Sequence, residues 1–180
     1  GEKIEGYPYP DYHPFITIDS SRNIYMGATT AGGINGFVYG LIDVVLIKYT
    51  SRTIQWVKQL GTSELEGVRG ITTDSLGNIY MTGYTFGDFG WWEKNKGRAD
   101  IFLTKINSSG TVKWIRQLGT SESEDAYGVT TDSSDNIYVT GHTQGDLDGN
   151  TNLGGECEVG GGGRVGIQLC RDIFLVKYNS

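Results

Sequence analysis

Residues Asp19–Gly27 read DSSRNIYMG, and the phrase returns as DSLGNIYMTG at Asp74–Gly83 and as DSSDNIYVTG at Asp132–Gly141. In each copy an aspartate and a serine lead through two variable positions to Asn-Ile-Tyr. Asp, Ser and Asn carry short side chains that hydrogen-bond nearby backbone where a chain reverses, and Ile-Tyr opens a strand. The asparagines at 23, 78 and 136 lie 55 and then 58 residues apart. A phrase repeated at a long fixed interval marks an architecture built from copies of one supersecondary unit. The fourth position of the turn is Arg22, Gly77 or Asp135. Gly and Asp accept positive φ readily and Arg does not, so the first turn is expected to differ.

Four strands per repeat follow on either side of the phrase. Strand a precedes it, at Phe15–Ile18, Gly70–Thr73 and Gly128–Thr131, and strand b continues from it, at Ile24–Ala28, Ile79–Gly83 and Ile137–Gly141. Strand c is an Asp, an apolar run and a Lys: Asp43–Lys48, Asp100–Lys105 and Asp172–Lys177. Unbroken apolar runs of this length suit strands covered on both faces. Strand d reads TIQWVKQLG at Thr53–Gly61 and TVKWIRQLG at Thr111–Gly119, after hairpin-like turns. The third repeat stops at Asn179-Ser180, which align with the residues that open the c–d turn, so its outer strand is missing.

Composition points the same way. Glycine occurs 28 times in 180 residues and alanine four times, about twice the usual ~7% glycine, and no stretch has helical periodicity. The expected fold is all-β, with three propeller blades of about four antiparallel strands. A β-sandwich with coincidental symmetry is the competing architecture. The expected divisions are a leader at 1–14, which holds Pro8, Pro10 and Pro14, and repeats at 15–66, 67–124 and 125–180. Three blades fall short of a ring, so a partial ring or one completed by oligomerisation is expected. The partners would be the chain itself or the remainder of a longer parent, of which a chain beginning at Gly1 reads as an excised piece.

The phrases G-[IV]-T-T-D-S-x-x-N-I-Y-[MV]-T-G, D-I-F-L-[TV]-K and W-[IV]-[KR]-Q-L-G together resemble the bacterial β-propeller repeat family (SBBP repeats), across about residues 15–180. Repeat one departs from the pattern at Gly27-Ala28-Thr29 and Val44-Val45. The resemblance implies extracytoplasmic, multi-repeat proteins and supplies no catalytic residues.

The b–c loops differ most between repeats, and loops on a rigid scaffold commonly carry function. Loop two (Phe86–Ala99) contains Trp91 and Trp92, which read either as a platform for a glycan or partner protein or as a cover for their own blade. In loop three, Asp146, Asp148, Asn150 and Asn152 alternate as short oxygen ligands of Ca²⁺ do, although the sharp-turn glycine stands at the fourth position instead of the sixth. An Asx-rich turn satisfying its own backbone is the alternative. Cys157 and Cys170, the only cysteines, bracket the glycine run Gly160–Gly163. They read as a disulfide clamping that excursion, or as two separate buried thiols.

The net charge of −6, from 15 basic and 21 acidic residues, and the lack of a basic block argue against nucleic acid. No apolar run approaches the roughly 20 residues of a membrane-spanning helix. Nucleophile-elbow, zincin and P-loop patterns are all missing. Glu64, Glu66, Glu122, Glu124 and Asp125 recur in the d-to-a turns and read as a solvated rim, and the Asp and Lys of strand c as strand-end charges. The expected function is a non-enzymatic extracytoplasmic scaffold or binding module that contacts a protein or glycan through its b–c loops. A glycan-acting hydrolase or a lectin-like Ca²⁺-dependent binder is the alternative.

Overall fold

The computed structural model describes residues 13–34, 39–50, 53–90, 92–153, 156–161 and 164–179, with backbone alone for 156–161 and 164–169. Apart from the 3₁₀ turn Leu147–Gly149, all regular structure among them is β. Strands β1 (Phe15–Ile18), β2 (Ile24–Thr30), β3 (Asp43–Thr50) and β4 (Thr53–Leu60) form one antiparallel meander. A second, in the same order, contains β5 (Glu66–Thr73), β6 (Ile79–Thr85), β7 (Asp100–Ile106) and β8 (Val112–Leu118). The third holds β9 (Glu124–Thr131), β10 (Ile137–Thr143) and β13 (Asp172–Tyr178), and it ends at β13 among the described residues. These are the expected blades, the last showing three strands among the described residues. Two details differ from expectation. Strands β5 and β9 start four residues early, because bulges at Val68/Gly70 and Thr140/Gly141 carry their ladders past a glycine. The glycine-rich excursion also folds back on itself as a hairpin, β11 (Glu156–Gly161) with β12 (Arg164–Leu169).

The repeated phrase builds the same object three times. The Asp19 carboxylate accepts Asn23 N (2.9 Å), Asn23 Nδ2 (2.7 Å) and the Tyr25 hydroxyl (3.0 Å). Asp74 takes the same three bonds from Asn78 and Tyr80, and Asp132 from Asn136 and Tyr138. The lysine that closes strand c lies over the tyrosine ring, with Lys48, Lys105 and Lys177 5.5, 5.2 and 5.5 Å from the centroids of Tyr25, Tyr80 and Tyr138. The first turn does not differ after all. Arg22 adopts φ 63°, beside 76° for Gly77 and 61° for Asp135, because three hydrogen bonds to Asp19 outweigh the cost of a left-handed arginine.

Blades stack through a face repeated from junction to junction. Tyr25, Val44 and Leu46 of blade one pack against Val68, Ile79 and Met81 of blade two. Tyr80, Ile101 and Leu103 of blade two pack in turn against Ala126, Ile137 and Val139 of blade three. Each aliphatic side chain so buried contributes about 1.5–3 kcal/mol. Successive first strands are neighbours, β1 beside β5 and β5 beside β9. Short parallel bridges join Ile42 to Leu65 and Ala99 to Ser123.

Two acidic residues of the d-to-a turns, Glu66 and Glu124, correct the rim expectation, while Glu64 is exposed as expected. Glu66 and Glu124 are fully buried. Glu66 accepts Thr62 N (2.8 Å) and the hydroxyls of Thr62 (2.7 Å) and Thr85 (2.9 Å). Glu124 does the same with Thr120 and Thr143, at 2.7, 2.7 and 2.9 Å. Asp43 and Asp100, expected as strand-end charges, are buried as well. Gln59 donates to Asp43, and Gln117 donates to Asp100 at 3.0 Å. The recurrent Q-L-G follows from this frame, since a Cβ at Gly61 or Gly119 would strike the Asp43 or Asp100 carboxylate.

A candidate binding surface at the loop end

The two ends of the blades are built differently. At one end the Asp-Ser-x-x-Asn turns bind themselves and their neighbours. Asp135 accepts both Ser75 N (2.9 Å) and Ser75 Oγ (2.6 Å), and Lys48 Nζ and Trp56 Nε1 both donate to Ser108 O. The residues that vary between repeats gather at the other end, where β2, β6 and β10 finish.

Loop two is pinned at several points. Phe89 N and Gly90 N donate to Gln117 Oε1 at 2.8 and 2.9 Å, and the Asp88 carboxylate accepts Asn95 N (2.9 Å) and Lys94 Nζ (2.8 Å). On this fixed loop Trp92 is 85% exposed, so it does not cover its own blade. Trp91 lies outside the described residues. Beside blade three, a polar recess of about 440 Å³ opens between Ser121, Glu122, Gln144, Asp146 and Asn152.

The four residues of the alternating Asx run come together in one turn around Leu147–Gly149. Asp146 Oδ1 accepts Asn152 N at 2.7 Å. Asn150 Nδ2 donates to the carbonyls of Leu147 and Asp148, and Asn152 Nδ2 to those of Thr143 and Cys170. The Asp148 side chain is exposed at a left-handed backbone position, φ 52°. Cys157 is described by backbone alone. The β11–β12 ladder sets it opposite Gln168, two residues from Cys170, and no free thiol is found among the described residues.

A cluster that the sequence reading missed joins blades two and three. Arg69 Nε is 3.4 Å from Asp125 Oδ2, and its guanidinium lies 5.2 Å from the Tyr84 ring centroid. The Tyr127 and His142 rings are 5.2 Å apart, and Asp125 and His142 are cross-strand partners. Burial lifts the Asp125 carboxyl to about 6, against the pull of Arg69 and Arg171. Burial, then Arg171 and Arg69, hold the His142 imidazole below its usual range. The signal lay in the differences between aligned repeats. Gly67 becomes Asp125, Arg69 becomes Tyr127 and Tyr84 becomes His142, inside strands that otherwise repeat.

The Beta-propeller repeat family SBBP matches residues 55–90 and 113–148, each stretch running from strand d of one blade into the loop after strand b of the next. An uncharacterized WD repeat-containing protein of Acanthamoeba polyphaga mimivirus is 29% identical over 96 residues, 46% of this chain and 7% of that protein. The chain therefore spans well under a tenth of that relative's length. With two stretches that match the SBBP repeat, antiparallel meanders and three equal turns in one molecule, the chain is built from β-propeller repeats similar to those of the SBBP family.

Proposed function

We propose that this chain is a non-enzymatic binding module, and that its loop end contacts a protein or a glycan through Trp92 of loop two, with the polar recess beside blade three as a second contact. The observation that carries this reading is a large aromatic held in water on a loop fixed by hydrogen bonds at both ends. Rigid exposed aromatics supply contact area at low entropic cost. A glycan array read with wild type and with Trp92→Ala is the direct test. We expect a signal that falls at least about tenfold in the variant, the loss of one central aromatic contact. A signal that ignores the substitution removes Trp92 from the site, and a blank array leaves a protein as the ligand.

The hydrolase alternative finds its best foothold at Asp125, the carboxyl lifted to about 6. Glycoside hydrolysis uses a second carboxyl roughly 5–10 Å away, whereas the charges acting on Asp125 are Arg69 and Arg171. We therefore read the cluster as a junction element. For Asp146, Asp148, Asn150 and Asn152, loop composition favours Ca²⁺ and the hydrogen bonds favour a self-satisfied Asx turn; we adopt the turn. A melting temperature that is the same in Ca²⁺ and in chelator is the expected result, and a rise in Ca²⁺ restores the metal reading. The ladder opposing Cys157 to Gln168 supports a Cys157–Cys170 disulfide, and the bond supports an extracytoplasmic location. Mass spectrometry of the unreduced protein tests both, and two alkylatable thiols would refute them.

A further inference from the structure

We infer that loop two is a site for an acidic glycan, in which Trp92 stacks on a sugar ring while Lys94, Lys96 and Arg98 hold the carboxylates of uronic acid residues. This ligand class rests on the binding reading above, whose loop it refines. Loop two belongs to the middle blade, between β6 and β7.

From Trp92 to Ala99 the chain alternates between protein and solvent. Glu93 turns back to Arg116 (3.2 Å), Asn95 Nδ2 donates to Thr85 O (3.5 Å), and Ala99 is buried. Trp92, Lys94, Lys96 and Arg98, the positions between and before these, are exposed. Backbone bonds hold the alternation. Asn95 N donates to Asp88, Lys96 N to Asp100, Gly97 N to the Asn95 side chain and Arg98 N to Glu122 O, at 2.9, 3.0, 3.0 and 3.1 Å. With these consecutive amides bonded inward, the cationic side chains stand outward in the same series as the tryptophan. Lys94 meets Asp88 at 2.8 Å, an exposed pair, and neither Lys96 nor Arg98 closes an ion pair among the described residues. The frame itself does not ask for these charges. In loop one, Tyr39 N donates to Asp43 as Lys96 N does to Asp100. A Cβ on Gly40 would strike Thr62 O, as one on Gly97 would strike Thr120 O. There the same backbone carries Tyr39 and Leu41 in place of Lys96 and Arg98.

Cations gathered on one fixed loop of a chain of net charge −6 make a local site for an anion. Lysine and arginine bind carboxylates through charge-assisted hydrogen bonds, arginine by two at once. The face of an indole is a flat, electron-rich apolar surface, against which the C–H face of a pyranose ring stacks. The make-up of the patch separates a glycan from other polyanions. The core of a protein interface is poor in lysine and rests on apolar side chains, whereas along 92–98 one exposed aromatic stands among Lys94, Lys96 and Arg98. Proteins that hold nucleic acid commonly neutralise roughly 6–10 phosphates from a broad basic face, which a chain with a pI of about 4.9 does not offer.

The test is an array of alginate, polygalacturonate and hyaluronate oligosaccharides, each beside its methyl ester, with neutral glycans, poly-L-glutamate and a single-stranded oligodeoxynucleotide for comparison. Titration calorimetry then measures the tightest binder. We expect a uronate to bind and its ester to bind at least about tenfold more weakly. Lys96→Gln combined with Arg98→Gln should weaken the uronate by a similar factor and flatten its salt dependence. Circular dichroism should not change, since loop one keeps this backbone with Tyr39 and Leu41. Trp92→Ala examines the binding reading separately. A neutral glycan that needs Trp92 and ignores the double substitution would overturn the uronate assignment and leave that reading standing. A uronate that needs the two cations and ignores Trp92→Ala would overturn the shared site. Binding of poly-L-glutamate or the oligodeoxynucleotide as tight as that of the uronate would reduce the loop to a patch of charge and overturn the glycan assignment, as would an array blank at every uronate.

Discussion

Strands β7 and β13 carry nearly the same words, Asp100-Ile-Phe-Leu-Thr-Lys105 and Asp172-Ile-Phe-Leu-Val-Lys177, in different surroundings. Ile101 and Leu103 are 3% and 1% exposed, whereas Ile173 and Leu175 stand in water. Both strands pair with their b strand in the same register. The pleat decides which side chains share a face, and the neighbouring blade decides whether that face is dry. Stability in a stack of this kind is therefore a property of junctions as much as of blades.

The largest expected effect tests that statement directly. Leu103→Ala should cost about 2–5 kcal/mol, as a buried leucine lost to a cavity does, while Leu175→Ala should stay within about 0.5 kcal/mol. Urea unfolding at concentrations where the chain is monomeric measures both. Equal costs would mean that blade three is covered in the monomer after all.

Next in size is a comparison two residues wide. Glu124→Ala strands Thr120 N and the Thr120 and Thr143 hydroxyls, for an expected loss of about 2–3 kcal/mol. Glu122→Ala, on the open side of the same turn, should change little. If the two variants melt together, the buried clasp is not what holds the junction.

The two ends of the blades should also titrate with opposite sign. Burial raises the Glu66, Asp100 and Asp125 carboxyls, Asp125 to about 6. A raised folded value means that stability is fully present below the unfolded value near 3.8 and is lost as pH climbs through about 6. At the turn end the Asn136 amide holds Asp132 at about 2, the Ser75 bonds lower Asp135, and for Asp19 the Asn23 and Tyr25 bonds overcome burial. Their contribution is present above the unfolded value near 3.8 and is lost as pH falls through the folded ones. The melting temperature should therefore peak at about pH 4, where these windows meet. Asp125→Asn should flatten the decline toward neutrality; a curve unchanged by that substitution would assign the decline to other groups.

The smallest expected effect compares turn one with turn two. Arg22→Gly places in the first turn the residue that the second already has, at a backbone angle only 13° different. It should stabilise by about 0.5–1 kcal/mol through relief of the left-handed arginine. A loss instead would show that the Arg22 side chain has a stabilising contact.

Blade number, strand order and the three turns were legible in the sequence because their causes are local: an aspartate reaches an asparagine four residues on and a tyrosine six residues on. The buried carboxylates were not legible. Glu66 looks like a surface residue until Thr85, 19 residues away, is folded onto it. Of the candidate site, the sequence singled out loop two and its tryptophans, but the exposure of Trp92 depends on how Gln117 pins that loop. The Arg69–Asp125–His142 cluster was not legible because its members are departures from the repeat, and their meeting depends on how blades two and three are folded together.

The interchangeable clasps bear on how such a gene changes length. Thr62, Glu66 and Thr85 are the positional twins of Thr120, Glu124 and Thr143. Excision of residues 63–120 would join Thr62 directly to Ser121 and reassemble a clasp from Thr62, Glu124 and Thr143. The Tyr25, Val44 and Leu46 face would then receive Ala126, Ile137 and Val139 in place of Val68, Ile79 and Met81. Unequal crossing-over between copies of the repeat thus passes through products that already pack, and the number of blades can drift from one generation to the next without a new interface having to arise.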